Sequence, residues 1–313
     1  MAQIANTFAT FTAVGNREEL ADAIYNIAPE ETPFVSAIGK GKASSTFPEW
    51  QTDSLAAAAN NKVEQGNQAA VAALTATKRT GNRTQISEKT FGVTGTQEVV
   101  DKAGRKSEIA YQKAKKMVEL KRDIEYAAIN NGTAIAPAAG VAPQARGLAG
   151  WLATNNSLGA APGAAPNPDT NTAAVDGVLR SITEAMLKDV AQKCWEQGGY
   201  PTMLFVPGAL RATVSAFTGA ATKFDKTEDK TLYATVEVYV GDFGRYSIVN
   251  SRHQRARDVF LIDPNQFELL TLRSMKATPL AKTGDAENFM VNTEWTLKSK
   301  QEAASGAIRD VQA

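Results

Sequence analysis

The stretch Lys62 to Gln85, KVEQGNQAAVAALTATKRTGNRTQ, carries one leucine and two valines as its only bulky apolar residues. Ordering a residue's backbone costs roughly 1–2 kcal/mol, and a thread this poor in apolar surface cannot offset that cost by packing on itself. It must be held by something else, so the fold has to combine a polar excursion with a body that packs elsewhere. With 313 residues there is room for one large domain or two ordinary ones. Hydrophobic residues make up 43% of the chain but aromatic residues only 7%, and much of the former is alanine, so a patchy core is expected.

Charge narrows the function classes. Thirty-four Lys and Arg against 33 Asp and Glu give a net charge of +1, which exerts no global pull on polyanions or acidic membranes. The first twenty residues lack the basic start and unbroken apolar run of an export signal, and no later run approaches the ~18 apolar residues of a membrane span. A cytosolic origin is the expectation. One cysteine, Cys194, excludes an intramolecular disulfide, and one histidine, His253, leaves almost nothing for a zinc site.

Along the chain, residues 1–45 read as an extended arm with a short helix, Leu20, Ile24 and Ile27 standing at helical spacing before Pro29 and Pro33. STFPEWQTD reads as a strand anchored by Phe47 and Trp50. RTQISEKTFGVTGTQEVV reads as its hairpin partner through Ile86, Thr90, Val93 and Val99, with the polar thread at the far end. Between Gly104 and Gly132, a single stripe of Ala110, Ala114, Met117, Leu120, Ile124 and Ala127 predicts a long helix, stopped at Asn130, Asn131 and Gly132. Residues 133–172 are rich in Ala, Gly, Asn and Pro and predict a loose crossing, interrupted by ARGLAGWL with Trp151 as anchor.

Beyond the crossing, Ser181 and Glu184 stand at capping-box spacing before a helix whose apolar face is Leu187, Val190, Ala191 and Cys194, ending at Gly198. Met203 to Val206 predicts a buried strand leading through Pro207 into a helix with Leu210, Val214 and Phe217. Paired strands are expected around Gly-Asp-Phe-Gly at 241–244 and around Asp-Pro-Asn at 263–265. The alternation of Phe289, Val291, Thr293, Trp295 and Leu297 with polar neighbours predicts a half-buried strand.

Catalytic templates fail on their ingredients. Any triad would need His253, which lies in SRHQRARD away from Cys194 and from a nucleophile elbow; an exposed histidine and an inert core thiol are expected instead. GKGKASS lacks phosphate-loop spacing and reads as a hinge. Glu18-Glu19 and Glu30-Glu31 are adjacent pairs whose side chains diverge, unlike convergent acid-base carboxylates. Of two basic clusters, Arg252, Arg255 and Arg257 stand together, while Lys113, Lys115, Lys116, Lys121 and Arg122 are interleaved with Glu119, Asp123 and Glu125, as on a solvated or subunit-pairing face. No catalytic, cofactor-binding or metal-binding residue is assigned, and no cofactor is expected.

The order of elements, arm, polar hairpin, rod-like helix, inserted α/β region and returning strand, resembles the major capsid proteins of tailed double-stranded-DNA bacteriophages, which share the Hong Kong 97 fold. The marks are YQKAKKMVELKRDIEYAAINNG as spine helix, GGYPTMLFVPGALRATVSAFTG as strand and helix of the axial domain, and NTEWTLKSKQEAASGAIRDV as the closing peripheral segment. The resemblance implies an α+β fold with an N-terminal arm at 1–45 and an extended loop at 46–100. It implies a peripheral domain from 101–132 and 264–313, and a linker and axial domain at 133–263.

On that layout the polar thread lies across a neighbouring subunit. The partners implied are copies of the chain itself in pentamers and hexamers, with scaffolding, portal and decoration proteins as further candidates, and packaged DNA through non-specific contact. The resemblance places the protein in the virion, assembled in the host cytoplasm without a membrane. The chain starts at the arm without the helical prepiece of some relatives, which implies a separate scaffolding protein or none. Some relatives cross-link loops through lysine and asparagine; for Lys62, Lys78 and Asn82, noncovalent contacts are the expectation. The alternatives are an encapsulin-type compartment shell, a cytosolic enzyme, and a nucleic-acid-binding protein acting through residues 252–257.

Overall fold

The computed structural model describes residues 31–68, 71, 73–102, 104–217, 238–282 and 284–313, so most of the arm, with the predicted helix at Leu20 to Ile27, lies outside the described residues. The described chain opens with a short helix, α1 (Pro33–Ala37), and a strand, β1 (Gly39–Lys42). The GKGK segment is therefore a strand rather than a hinge. It pairs in parallel with residues 268–271, which supply the hydrogen-bonding partners that its own composition does not advertise.

Strand β2 (Glu49–Thr52) pairs antiparallel with β3 (Lys78–Gly81), and residues 53–77 between them form no strand or helix where described. The predicted pairing with the segment after the thread is corrected here. That segment, β4 (Gln85–Thr94), turns away to pair with β12 (Ala286–Ser299), while Val99 belongs to a helical turn, α2 (Gly95–Val99), capped by Thr94.

The long helix is α3 (Glu108–Asn130), about 35 Å of rod at 1.5 Å per residue. Ser107 caps its N-terminus by accepting from the Ala110 amide, and the Glu98 carboxylate accepts from the amides of Glu108 and Ile109 at 2.9 and 3.2 Å. A buried turn, α4 (Leu148–Trp151), docks against its far end. A Cβ at Gly147 would stand 2.6 Å from the Ala127 carbonyl oxygen, so only glycine permits this approach.

The crossing then gives β5 (Asn155–Ser157) and β6 (Arg180–Ser181), followed by α5 (Glu184–Glu196). Ser181 is used in β6, so the expected capping box does not form; Thr183 is the N-cap without a side-chain bond, and Glu184 instead accepts from the Tyr239 hydroxyl. Leu187, Val190, Ala191 and Cys194 are buried as their spacing predicts, and Gly198 leaves the helix at positive φ. Next come β7 (Met203–Pro207), a 3₁₀ turn (Gly208–Leu210), and the short α6 (Arg211–Ser215).

The remaining strands are β8 (Val238–Gly241), β9 (Gly244–Ser251), β10 (Val259–Ile262), β11 (Phe267–Pro279), β12, β13 (Gly306–Ile308) and β14 (Val311–Gln312). One sheet has the order β1-β11-β12-β4, and another runs β5-β13-β10-β7-β9-β8. Strands β10 and β11 do not form the hairpin read at Asp-Pro-Asn. That turn carries the chain from the six-stranded sheet to the four-stranded one.

Two apolar cores flank the six-stranded sheet, sorted by strand alternation. Phe205, Phe260 and Ile262 face a core shared with α3, α4 and the four-stranded sheet, while Leu204, Val206 and Leu261 face α5 and α6. Phe34 of α1 sits at the junction, meeting Phe205 and Phe267 edge-on at centroid distances of 5.9 and 6.2 Å. β12 is buried on both sides at Glu294 to Leu297, more than its alternation predicts, because Thr84 and Arg273 cover Glu294.

Candidate intersubunit surfaces

The root of the thread is over-determined. Trp50 lies against Trp151 with ring centroids 5.7 Å apart, the Arg146 guanidinium sits 4.7 Å over the Trp151 ring, and the Lys298 ammonium approaches Trp50 at 5.9 Å. Asn82 has 0% exposure. Its amide nitrogen donates to the carbonyls of Arg146 and Leu297 at 2.9 and 2.7 Å, and its oxygen accepts from the Arg146 amide at 2.8 Å. The Thr84 hydroxyl donates to Glu294, and Lys78 pairs with Asp169 at 2.6 Å.

Beyond this root, the bulky aliphatic side chains of the described thread stand in solvent. Leu55 is 98% exposed and Leu74 97%, with Val63 and Val71 also standing in solvent. Large aliphatic side chains exposed on a segment without secondary structure make a candidate contact surface. A second apolar patch lies beside α5, where half-exposed Trp195 packs on Phe243 with 5.7 Å between centroids and Tyr200 stands exposed nearby in sequence.

The basic segment at 252–257 is committed internally. Arg255 donates to both oxygens of Asp176 at 2.7 and 2.6 Å, and Arg257 donates to Asp310 at 2.6 Å and to the Gly177 carbonyl at 2.7 Å. Asp310, at φ 60°, also accepts from the amides of Gly159 and Gly177; these bonds and Arg257 hold its carboxyl below the usual range despite burial. Burial raises the Asp258 carboxyl, opposed by Arg309 and Arg255. The network ties residues 159–177 to the C-terminal strands, so Arg255 and Arg257 are structural ties and not a free anion-binding surface.

Other predicted residues are redistributed. Cys194 is buried, its thiol pushed up to about 12 by desolvation, and it lies beside Asn155. His253 is half-buried rather than exposed. Burial is the main cause of its lowered pKa, with Arg122 adding to it, and its backbone carbonyl accepts from Asn130 at the end of α3. On α3, Lys116 pairs with Glu119 and Asp123 with Lys89, as a solvated face would. Glu125 is different: fully buried, it accepts from the amides of Phe34 and Val35, both at 2.8 Å, and burial raises its carboxyl. Sequence reasoning missed it because its partners lie 90 and 91 residues away.

Among the described residues, no group of three His, Cys, Asp or Glu side chains is placed to hold a metal, and no helix is long and apolar enough to cross a membrane. The geometry describes a scaffold with projecting and apolar contact surfaces.

The same fold is found in solved capsids. A chain of the cyanophage A-1(L) capsid asymmetric unit superposes with a TM-score of 0.65 at 14% identity, covering 97% of this chain and 99% of that one. A chain of the holo-encapsulin complex from Synechococcus elongatus superposes with a TM-score of 0.57 at 9% identity, covering 95% and 92%. The fold is thus that of the Hong Kong 97-like capsid proteins, which the sequence order had suggested. Sequence gives the finer assignment: the major capsid protein of Escherichia phage Phieco32 is 25% identical over 342 residues, 96% of each chain, and the SU10 major capsid protein model matches residues 3–312. The chain belongs to the SU10 major capsid protein family and is a building subunit of a phage capsid shell.

Proposed function

We propose that the chain assembles as pentamers and hexamers of an icosahedral head around double-stranded DNA, in a structural and non-catalytic role, assembling in the host cytoplasm. The observation that carries the reading is the pairing of a fixed root with a bare thread: Asn82 is fully buried while Leu55 and Leu74 lie almost wholly in solvent. A neighbouring copy is the partner that completes such a surface, because every subunit brings both the thread and the body it rests on. Scaffolding, portal and decoration proteins remain candidate partners, and DNA contact is non-specific, since Arg255 and Arg257 are already paired. In this reading α3 and the four-stranded sheet form the peripheral domain. The six-stranded sheet with α5 and α6 forms the axial domain, to which residues 306–312 of the closing segment are joined by β13 and β14. Loop contacts are noncovalent: Asn82 is enclosed at the root and Lys78 is paired with Asp169.

Electron microscopy of the purified protein tests this. Shells, rings or tubes containing or copurifying with DNA are expected; uniformly small particles at assembly-favouring salt and concentration overturn it. A shell that retains an enzyme instead of DNA assigns the protein to a compartment of the encapsulin type.

A further inference from the structure

The loop between β9 and β10, residues 252–258, leaves the six-stranded sheet and meets the last turns of α3. The Asn130 amide nitrogen donates to the His253 carbonyl at 2.6 Å and to that of Tyr126 at 2.9 Å, which pins the loop backbone on the helix. Arg122, Tyr126 and Asn130 stand four residues apart along one ridge of α3, so the pinned imidazole lies in the field of the Arg122 guanidinium. His253 is the only histidine of the chain. Its Nε2 and the Nε of Arg122 are both buried, and neither has a hydrogen-bond partner among the described residues. Buried polar atoms are normally paired, yet a protonated imidazole must place an N–H at Nε2, where no acceptor stands.

The surrounding charges add to the cost of that proton. Arg122 acts on the imidazole from α3 and Arg252 from the loop itself, while the acid that opposes them, Asp123, is already paired with Lys89 at 2.7 Å. Arg252 has Glu31 at 3.7 Å, and the loop's other charges turn elsewhere: Arg255 to Asp176 and Asp258, and Arg257 to Asp176 and Asp310. Gln254 donates to the carbonyls of Phe205 and Asp258 at 3.3 and 2.7 Å, so the loop is bound to its own sheet by contacts that a proton on His253 does not touch. We propose that His253 is an acid-sensitive catch: neutral, it lets the 252–258 loop close on α3, and protonated, it drives the loop off the helix while the loop stays fastened to the six-stranded sheet. Burial first, then Arg122, lower the imidazole pKa from its ordinary 6.5, with Asp123 opposing and Arg252 adding. The closed contact is therefore at full strength above 6.5 and is lost as pH falls from 6.5 through the lower folded value.

Hydrogen–deuterium exchange of the full-length protein at about pH 7.5 and about pH 5.5, corrected for the intrinsic pH dependence of exchange, tests this. Peptides covering residues 126–131 and 252–258 should open about threefold more at the lower pH, and His253→Gln, which cannot take up the proton, should remove the difference. Unchanged opening in the native sequence overturns the proposal. So does a rise that persists in His253→Gln, because it assigns the effect to the buried carboxyls of Glu125 or Asp258. The single histidine also gives a single imidazole resonance in the dispersed protein. A titration midpoint below 6.5 that moves up in Arg122→Gln is expected; a midpoint at or above 6.5, or one unmoved by that change, overturns the proposal. If His253→Gln fails to fold by circular dichroism, the midpoint of the native sequence decides.

Discussion

The root of the polar loop and the thread it carries are adjacent in sequence and opposite in physics. At the root, Trp50, Asn82 and Thr84 are tied to Trp151, Leu297 and Glu294, residues 101 to 215 positions away, by ring contact and buried hydrogen bonds. A few residues on, Leu55 and Leu74 touch no core at all. The contrast teaches that the subunit's own contacts fix the loop where it leaves the body, while its described far part gains little from that body. A flexible root would present the thread at many angles, and most would miss a neighbour; a fixed one confines the search.

The contrast can be broken most forcefully at Trp151. Trp151→Ala should destabilise the dispersed subunit by about 4 kcal/mol, read by denaturant unfolding, because it empties the largest buried site at the root. Asn82→Ala should cost about 3 kcal/mol by the same measurement, since it strands the Arg146 amide and two carbonyls in the interior. If either change is silent, the root is not what fixes the loop.

A smaller effect is expected from Asp310→Asn, about 2 kcal/mol near neutral pH, through the 159–177 segment whose Asp169 braces Lys78. Asparagine tolerates the positive φ, so the loss reports charge. Because the folded carboxyl is held below its ordinary value of 3.8, its contribution is full above that value and is lost as pH falls from 3.8 through the lower folded value. Unfolding measured against pH should therefore be flatter on the acid side in the variant. Lys78→Ala should cost at most about 1 kcal/mol, since the pair with Asp169 is half in solvent. Smallest of all, Leu55→Ser/Leu74→Ser should leave subunit stability within about 0.5 kcal/mol while reducing shell yield in electron micrographs, which sharpens the division between folding and assembly.

Much of this architecture is written locally. The helix α3, the apolar face of α5 and the strand β12 were readable because each is a repeat of period 3.6 or 2 within one segment, although of the predicted α3 stripe only Leu120, Ile124 and Ala127 are buried while Ala110 and Ala114 stand exposed, and β12 is buried on both sides at Glu294 to Leu297. Partner choice was not. GKGK became a strand because β11 accepts it, and β4 left the expected hairpin for β12, outcomes set by contacts hundreds of residues apart. The contact surfaces divide the same way: the exposed thread was legible from its poverty of apolar residues, whereas buried Glu125 and the Asp310 network look, in sequence, like ordinary surface charge. A lone carboxylate carries no mark of the distant amides that will receive it.

Phe34 gives the molecule a mechanical property. Wedged between Phe205 of one sheet and Phe267 of the other, and fixed from behind by Glu125, it acts as a single rivet through three plates: both sheets and the spine. The N-terminal tail is fastened to that rivet, so a pull along the tail loads the seam between the sheets directly. Conversely, any sliding of one sheet over the other must first work the pin loose and slacken the tether.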